Sequence, residues 1–284
     1  VIRFWERRAA QEQLSLRQAL QLGLTEEGEI EGLPVAGVEA EGWVQDLLQQ
    51  LRGSEALQEL QPPRELNGQL RPYQVRGYSW LDFLRRWGLG ACLADDMGLG
   101  KTVQTIAFIL HEVESGRQRI PALVICPTSV VGNWAHEIAR FAPSLRVMVH
   151  HGSDRASGAE FTDQARQADV VISTYTLARR DEESLQRMEW GGIILDEAQN
   201  IKNPATKQAQ AIRRLRAGYR FALTGTPIEN RVTELWSIMQ FLNPGLLGSH
   251  QSFRSRFALP IERYQDQEAA THLRKLVQPF VLRR

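Results

Sequence analysis

The chain has 284 residues, 43% hydrophobic and 24% charged, a balance ordinary for a soluble globular protein with room for one large domain or two modest ones. Its formal net charge of +1 argues neither for nor against a polyanionic partner, so any such site has to arise from local clustering. The longest apolar runs, 122–126 and 191–195, fall far short of the roughly 20 residues a helical membrane span needs, and the opening VIRFWERR lacks a signal-peptide pattern.

In chain order, residues 1–60 are rich in Leu, Gln and Glu. Leu14, Leu16, Leu20, Leu22 and Leu24, then Trp43, Leu47, Leu48 and Leu51, recur at helical spacing, with Gly28, Gly32, Pro34 and Gly37 between the two sets. Residues 1–66 read as a small helical appendage, or the tail of an upstream domain, without chemistry of its own. Pro62-Pro63 ends that pattern. Beyond Leu70, short apolar runs at 91–94, 122–126, 147–150, 170–174, 193–195 and 221–224 alternate with helical stretches at 102–114, 132–141 and 206–215. The runs are aliphatic or β-branched on both faces, as strands of a parallel sheet covered on both sides are. The expected fold class is α/β, a doubly wound and mainly parallel sheet over residues 67–284. After Phe241 the chain reads as helix and loop, with no second set of strands. Cys92 and Cys126 sit inside apolar runs, which predicts buried thiols and a reducing compartment. The chain starts at Val1 and stops on Arg283-Arg284, as a piece of something longer would.

Residues 95–102, DDMGLGKT, follow the first predicted strand and precede the first long helix. A phosphate-binding loop of the G-x-x-x-x-G-K-[ST] type would carry glycine where Asp95 stands. The rest of the requirement survives. Gly98 and Gly100 let the backbone turn and approach an anion, and the helix beginning near Thr102 aims its first amides at the phosphates. Lys101 would reach the β- and γ-phosphates and Thr102 would ligate Mg²⁺. The competing reading is a glycine-rich turn before an ordinary helix.

Residues 191–199, GGIILDEAQ, are an apolar run ending in two carboxylates, at the strand edge where open α/β sheets bind ligands. Adjacent carboxylates repel unless a cation or a proton intervenes. Asp196 is the candidate for holding Mg²⁺ and Glu197 for polarising the attacking water, with solvated surface as the bland alternative. Loop and acidic pair together predict Mg²⁺-dependent ATP hydrolysis.

With these residues in place, the chain resembles the Swi/Snf-type helicase-like ATPases of superfamily two, in their bacterial and archaeal branch. DDMGLGKT resembles that family's motif I, in which an acidic residue commonly takes the place of Asp95. LRPYQVRGYSWL (70–81) resembles its adenine-side motif, LVICPTSVVGNW (123–134) motif Ia, and ISTY (172–175) a later strand-end motif. DEAQNIKNP (196–204) resembles motif II, LTGTPIENRVTELWSIMQFLNP (223–244) motif III with its continuation, and PFVLRR the stretch before a second lobe.

The resemblance implies the N-terminal RecA-like lobe of a two-lobed motor that translocates on double-stranded DNA and remodels protein–DNA complexes. It implies a helical protrusion over about 230–278. ATP and Mg²⁺ are the implied cofactors, with ATP held by Gln74, Asp96, Met97, Gly98, Leu99, Gly100, Lys101 and Thr102. Gln74 would read the adenine edge, for which its amide has both a donor and an acceptor. Gln199, Thr224 and Thr226 would couple the nucleotide to the DNA side, the two threonines by hydrogen bonds toward Glu197. Thr128, Ser129, Asn133, Thr174 and Lys202 would touch the DNA backbone without reading sequence. The implied setting is prokaryotic, cytoplasmic and nucleoid-associated. A second RecA-like lobe would supply arginine fingers, so the piece alone is expected to turn over slowly. A strand-separating helicase or a non-catalytic nucleotide-gated DNA-binding module are the alternatives. Arg179-Arg180 and the cluster Arg213, Arg214 and Arg216 read as a solvated face before a phosphate-facing stripe, and His150-His151 as a loop feature without metal.

Overall fold

The computed structural model describes residues 16–25, 28–30, 33–35, 41–53, 57–225 and 232–284. Helix α1 (Leu16–Thr25), the antiparallel strands β1 (Gly28–Ile30) and β2 (Leu33–Val35), and α2 (Trp43–Leu51) open the chain. Leu20, Leu24, Leu47, Leu48 and Leu51 are buried and belong to the same hydrophobic cluster as the rest of the protein. Helical spacing at the leucines is therefore realised as two amphipathic helices.

Helix α3 (Pro72–Arg86) leads into β3 (Ala91–Leu93), and α4 (Lys101–Glu114) into β4 (Ala122–Cys126). Next come α5 (Val131–Phe141), β5 (Val147–Val149), α6 (Gly158–Gln167), β6 (Val170–Thr174), α7 (Tyr175–Arg180), α8 (Glu182–Gln186) and β7 (Glu189–Asp196). Helix α9 (Lys207–Arg214), β8 (Arg216–Leu223) and α10 (Val232–Leu242) follow. The helical end comprises α11 (His250–Phe253), a π-turn (Arg254–Ala258), α12 (Leu259–Tyr264) and α13 (Gln267–Val277), before a last strand, β9 (Val281–Leu282).

Strands β3–β9 make one parallel sheet in the order β5-β6-β4-β7-β8-β3-β9. Every residue of β4 and β6 is buried, as helices on both faces require. On one face Phe108 of α4 packs edge-on against Tyr219 and Phe221 of β8, at 5.0 and 4.9 Å between ring centroids. Two long-range contacts fix β3, and with it the loop that follows. Asn243, just past α10, brackets the residue before β3 with both ends of its amide, accepting from Gly90 N at 2.9 Å and donating to Gly90 O at 3.1 Å. On the other side β9 pairs with β3, and its neighbours continue along the loop: Ala94 N donates to Leu282 O at 2.7 Å and Asp96 N to Arg284 O at 3.1 Å.

A charged cluster fills the opposite, amino-terminal edge of the sheet. Glu112, fully buried, pairs with Arg85 and with Arg117, each at 2.7 Å. Arg117 also reaches Asp82 at 2.7 Å, as does Arg86. A cavity of about 490 Å³ opens beside them, lined also by Arg119, Trp190 and Arg216. Cys92 and Cys126 are buried free thiols, and burial pushes each up to about 12. Among the described residues no helix is long and apolar enough to cross a membrane.

Candidate active site

Parallel strands end together, so the loops after β3, β4, β6, β7 and β8 share one edge of the sheet. The loop after β3 runs through residues 94–100. Gly98 and Gly100 have φ of 85° and 75°, a left-handed conformation that an L side chain resists. A Cβ on Gly100 would also come to 2.5 Å from Gln74 Nε2. Asp95 takes no positive φ, so nothing at its position calls for glycine. Its side chain is fully buried, and one carboxylate oxygen accepts from Gln104 Nε2 at 3.3 Å. Lys101 Nζ donates to the loop's own carbonyls, Asp95 O at 2.6 Å and Asp96 O at 3.3 Å. Helix α4 starts at Lys101 with Gly100 as its cap, and among the described residues no side chain caps its first amides. An uncapped helix N-terminus, two left-handed glycines and a lysine form a cradle suited to phosphate oxygens. Met97 is 84% exposed at the tip of the loop, beside exposed Asp96.

Gln74 is nearly buried against this loop. Its Oε1 accepts from Arg71 N at 2.8 Å, closing the start of α3, and its Nε2 donates to Leu99 O at 3.3 Å. The residue expected to face the base thus also ties α3 to the phosphate loop. Arg284, past β9, bonds the Tyr73 carbonyl and lies over the Tyr73 ring, adding the chain's last residue to the same corner.

Asp196 ends β7, two strands from β3, with β8 between. Its Oδ2 accepts from Trp134 Nε1 at 2.8 Å and its Oδ1 from Glu197 N at 3.0 Å. Burial pushes the Asp196 carboxyl up from its ordinary value and the Glu197 charge adds to this, while the Trp134 N–H, the Glu197 amide and the Lys101 ammonium oppose both. Glu197 stands at φ 52°, a left-handed backbone that costs a non-glycine residue about 1–3 kcal/mol. Its carbonyl is pinned by Asn200 N at 3.0 Å and Asn200 Nδ2 at 2.8 Å, which holds the strained turn in place. The Glu197 carboxylate accepts from Gln199 Nε2 at 2.7 Å, and Gln199 Oε1 accepts from Thr224 Oγ1 at 3.0 Å. Thr224, fully buried at the end of β8, therefore reaches Glu197 through Gln199 and not by a direct bond. Thr226 lies outside the described residues.

The donors present suit a divalent cation of one kind. Among the described residues no group of three or more His, Cys, Asp or Glu converges to form an all-protein metal cage. A single carboxylate at the sheet edge, Asp196, is the sparse kind of oxygen donor with which Mg²⁺ can be held alongside nucleotide phosphates and water. Each Asp196 oxygen accepts one hydrogen bond and keeps capacity for another partner. The residues fit Mg²⁺.

On the β4 side, Thr128 and Ser129 lie exposed on a short 3₁₀ turn (Thr128–Val130), and Asn133 is exposed in the first turn of α5. Thr174 is placed differently. It is 2% exposed, and its hydroxyl accepts from Leu177 N at 3.3 Å as the cap of α7, so it offers no surface contact here. Lys202 is 42% exposed and pairs with Glu234 of α10 at 3.5 Å. Arg213 bonds the carbonyls of Pro204 and Ala209, and Arg214 pairs with Glu182. His150, in the loop after β5, is buried, with Nδ1 3.0 Å from Ser173 Oγ and Nε2 3.4 Å from Asp181, so the first of the paired histidines is a loop residue packed into the core. Sequence reasoning passed over Trp134 and Tyr175, although both lie inside the quoted motifs. The available signal was that a buried Trp or Tyr needs a partner for its polar end.

The family model of the SNF2-related domain matches residues 73–284. Among curated proteins, a putative ATP-dependent helicase/translocase of Bacillus subtilis is 51% identical over 241 residues, which is 85% of this chain and 26% of that protein. A TATA-binding protein-associated factor of Saccharomyces cerevisiae is 36% identical over 277 residues, 89% of this chain and 15% of that protein. Among solved structures, the SWI2/SNF2 ATPase core of Sulfolobus solfataricus in complex with double-stranded DNA superposes with a TM-score of 0.73 at 48% identity, covering 80% of this chain and 46% of that one. The chain spans about a quarter of the length of the Bacillus relative and less of the yeast one.

Proposed function

Since the chain belongs to the SNF2-related domain family, we propose that it is the nucleotide-binding lobe of a motor that hydrolyses ATP to move along double-stranded DNA and remodel protein–DNA complexes. The observation that carries this reading is the shared edge of the sheet. It holds a glycine-shaped phosphate cradle with Lys101, an Asp196–Glu197 pair two strands away, and a Thr224–Gln199–Glu197 chain between them.

Each residue then has a task its surroundings support. The α4 amides, Gly98 and Gly100 receive the phosphate oxygens, and Lys101 turns its ammonium to the β- and γ-phosphates. Gln74 and the loop residues Asp96, Met97 and Leu99 border the base and sugar. Thr102 and Asp196 hold Mg²⁺, which would neutralise charge on the transferring phosphoryl group. Glu197 orients the attacking water and takes its proton, in a direction set by Gln199. Thr128, Ser129 and Asn133 contact DNA phosphates, with Lys202 beside them and Thr174 supporting from beneath. A second RecA-like lobe of the same polypeptide supplies arginine fingers, each worth ~10³–10⁵ in rate. Residues 1–66 form an appendage to the lobe, and about 230–278 its helical protrusion. The 51% identity to a Bacillus protein supports a prokaryotic setting, and the proposed action on DNA would place the protein at the nucleoid.

The test is ATP hydrolysis by the full-length protein with and without duplex DNA. Duplexes of unrelated sequence should stimulate equally, with a steep fall as salt rises. Lys101→Ala should abolish the stimulated rate while duplex binding persists. A normal rate in Lys101→Ala, or no stimulation of the wild type, would overturn the reading.

A further inference from the structure

Two aromatic side chains reach the acidic pair from the side of the sheet on which the DNA contacts are proposed. Trp134 is fully buried, and it directly follows exposed Asn133 on α5. Its indole N–H donates to the Asp196 carboxylate at 2.8 Å and, among the described residues, shares it with one other donor, the Glu197 amide. Tyr175 is 4% exposed and directly follows Thr174 at the start of α7. Its hydroxyl donates to Asp196 O at 2.8 Å and Glu197 O at 3.3 Å, and burial raises its proton affinity so that it stays a donor. In both strand-end motifs, then, a buried aromatic brings its polar end to the acidic turn: Trp134 follows exposed Asn133, and Tyr175 follows the buried cap Thr174.

Resting on the proposed function, we infer that Trp134 and Tyr175 are positioning residues through which duplex DNA, binding along the turn before α5 and its first turn, sets the orientation of the Asp196 carboxylate. The geometry carries this in two ways. A carboxylate held by a single side-chain donor turns with that donor, and the donor is anchored in the first turns of α5, which also presents Asn133 and follows Thr128 and Ser129. The Tyr175 hydroxyl holds the backbone on which that carboxylate and the left-handed Glu197 are mounted. A contiguous route through packed side chains is a coupling claim, and it needs a coupling measurement.

Reciprocity supplies the measurement. If duplex DNA changes nucleotide affinity by some factor, the nucleotide changes duplex affinity by the same factor, typically about 5- to 150-fold. In the full-length protein, the Kd of a non-hydrolysable fluorescent ATP analogue with Mg²⁺ is measured with and without a short duplex. Duplex Kd is then measured with and without the analogue. Trp134→Phe and Tyr175→Phe each delete one donor and keep an aromatic ring. Trp134→Phe should cut the coupling factor about fivefold or more, equally in both directions, and leave duplex affinity without nucleotide within about twofold. With EDTA in place of Mg²⁺, Trp134→Phe and wild type should not differ. Tyr175→Phe should lower the factor in the same sense and decides the matter if Trp134→Phe does not fold. A side chain that only fills space would weaken both ligands together and leave the factor unchanged, and that result in folded variants overturns the inference. Absence of coupling in the wild type would instead overturn the functional reading on which it rests.

Discussion

Helix α4 carries charge at both ends and treats it in opposite ways. At its carboxyl end, closed by ion pairs, Glu112 meets Arg85 and Arg117, one on each oxygen, and Arg117 and Arg86 pair with Asp82. At its amino end Lys101 rests on backbone carbonyls, the cap residue Gly100 has no side chain to hold the first amides, and the Asp196 carboxylate is met by two neutral N–H donors. The cavity of about 490 Å³ opens beside the ion-paired carboxyl end, away from the edge where chemistry is proposed. Charge paired with opposite charge holds the fold together, whereas a lysine and a carboxylate each met only by neutral groups mark the edge where chemistry is proposed.

The largest effect that would sharpen this contrast is on stability. Glu112→Ala leaves two arginines facing a buried gap and should cost about 3 kcal/mol in denaturant unfolding, since breaking one side of a buried ion pair is strongly destabilising. Folded Glu112→Ala should still bind the ATP analogue with unchanged affinity. A loss of affinity without a loss of stability would erase the distinction between the two ends. A smaller effect is expected at the other end. Gly100→Ala places a Cβ 2.5 Å from Gln74 Nε2 on a left-handed backbone, and should weaken ATP-analogue binding about tenfold at a stability cost of roughly 1–2 kcal/mol. Equal affinity in that variant, measured by the same titration, would remove the cradle from the account.

The sequence made much of the open end legible and almost nothing of the closed one. Strands β4 and β6 match the predicted runs 122–126 and 170–174, because strands buried on both faces are written as uninterrupted aliphatic residues. Strands β7 and β8 begin earlier than the runs 193–195 and 221–224, at Glu189 and Arg216, where polar and glycine residues pair on the sheet without an apolar signature. Two-residue β9 exists as a strand only through its pairing with β3, so local pattern could not reveal it. Gly98, Gly100, Lys101, Asp196 and Glu197 were readable because backbone shape and charge chemistry each demand particular residue types. Asp95 departs from the general phosphate-loop pattern without removing what the loop needs, and its backbone, outside the positive-φ region, shows why the position tolerates a side chain. The Trp134–Asp196 bond and the Glu112 pairs join residues far apart in the chain, and nothing local announces which partner a buried donor will find.

The central claim is that the open edge hydrolyses ATP in response to duplex DNA, with Glu197 directing the water. The most direct measurement is the duplex-stimulated ATP hydrolysis rate of the full-length protein carrying Glu197→Gln, beside its affinities for duplex and the ATP analogue. The predicted result is a rate lower by at least about 100-fold, the scale of a lost general base, with both affinities within about twofold of wild type. A stimulated rate close to wild type would contradict the account.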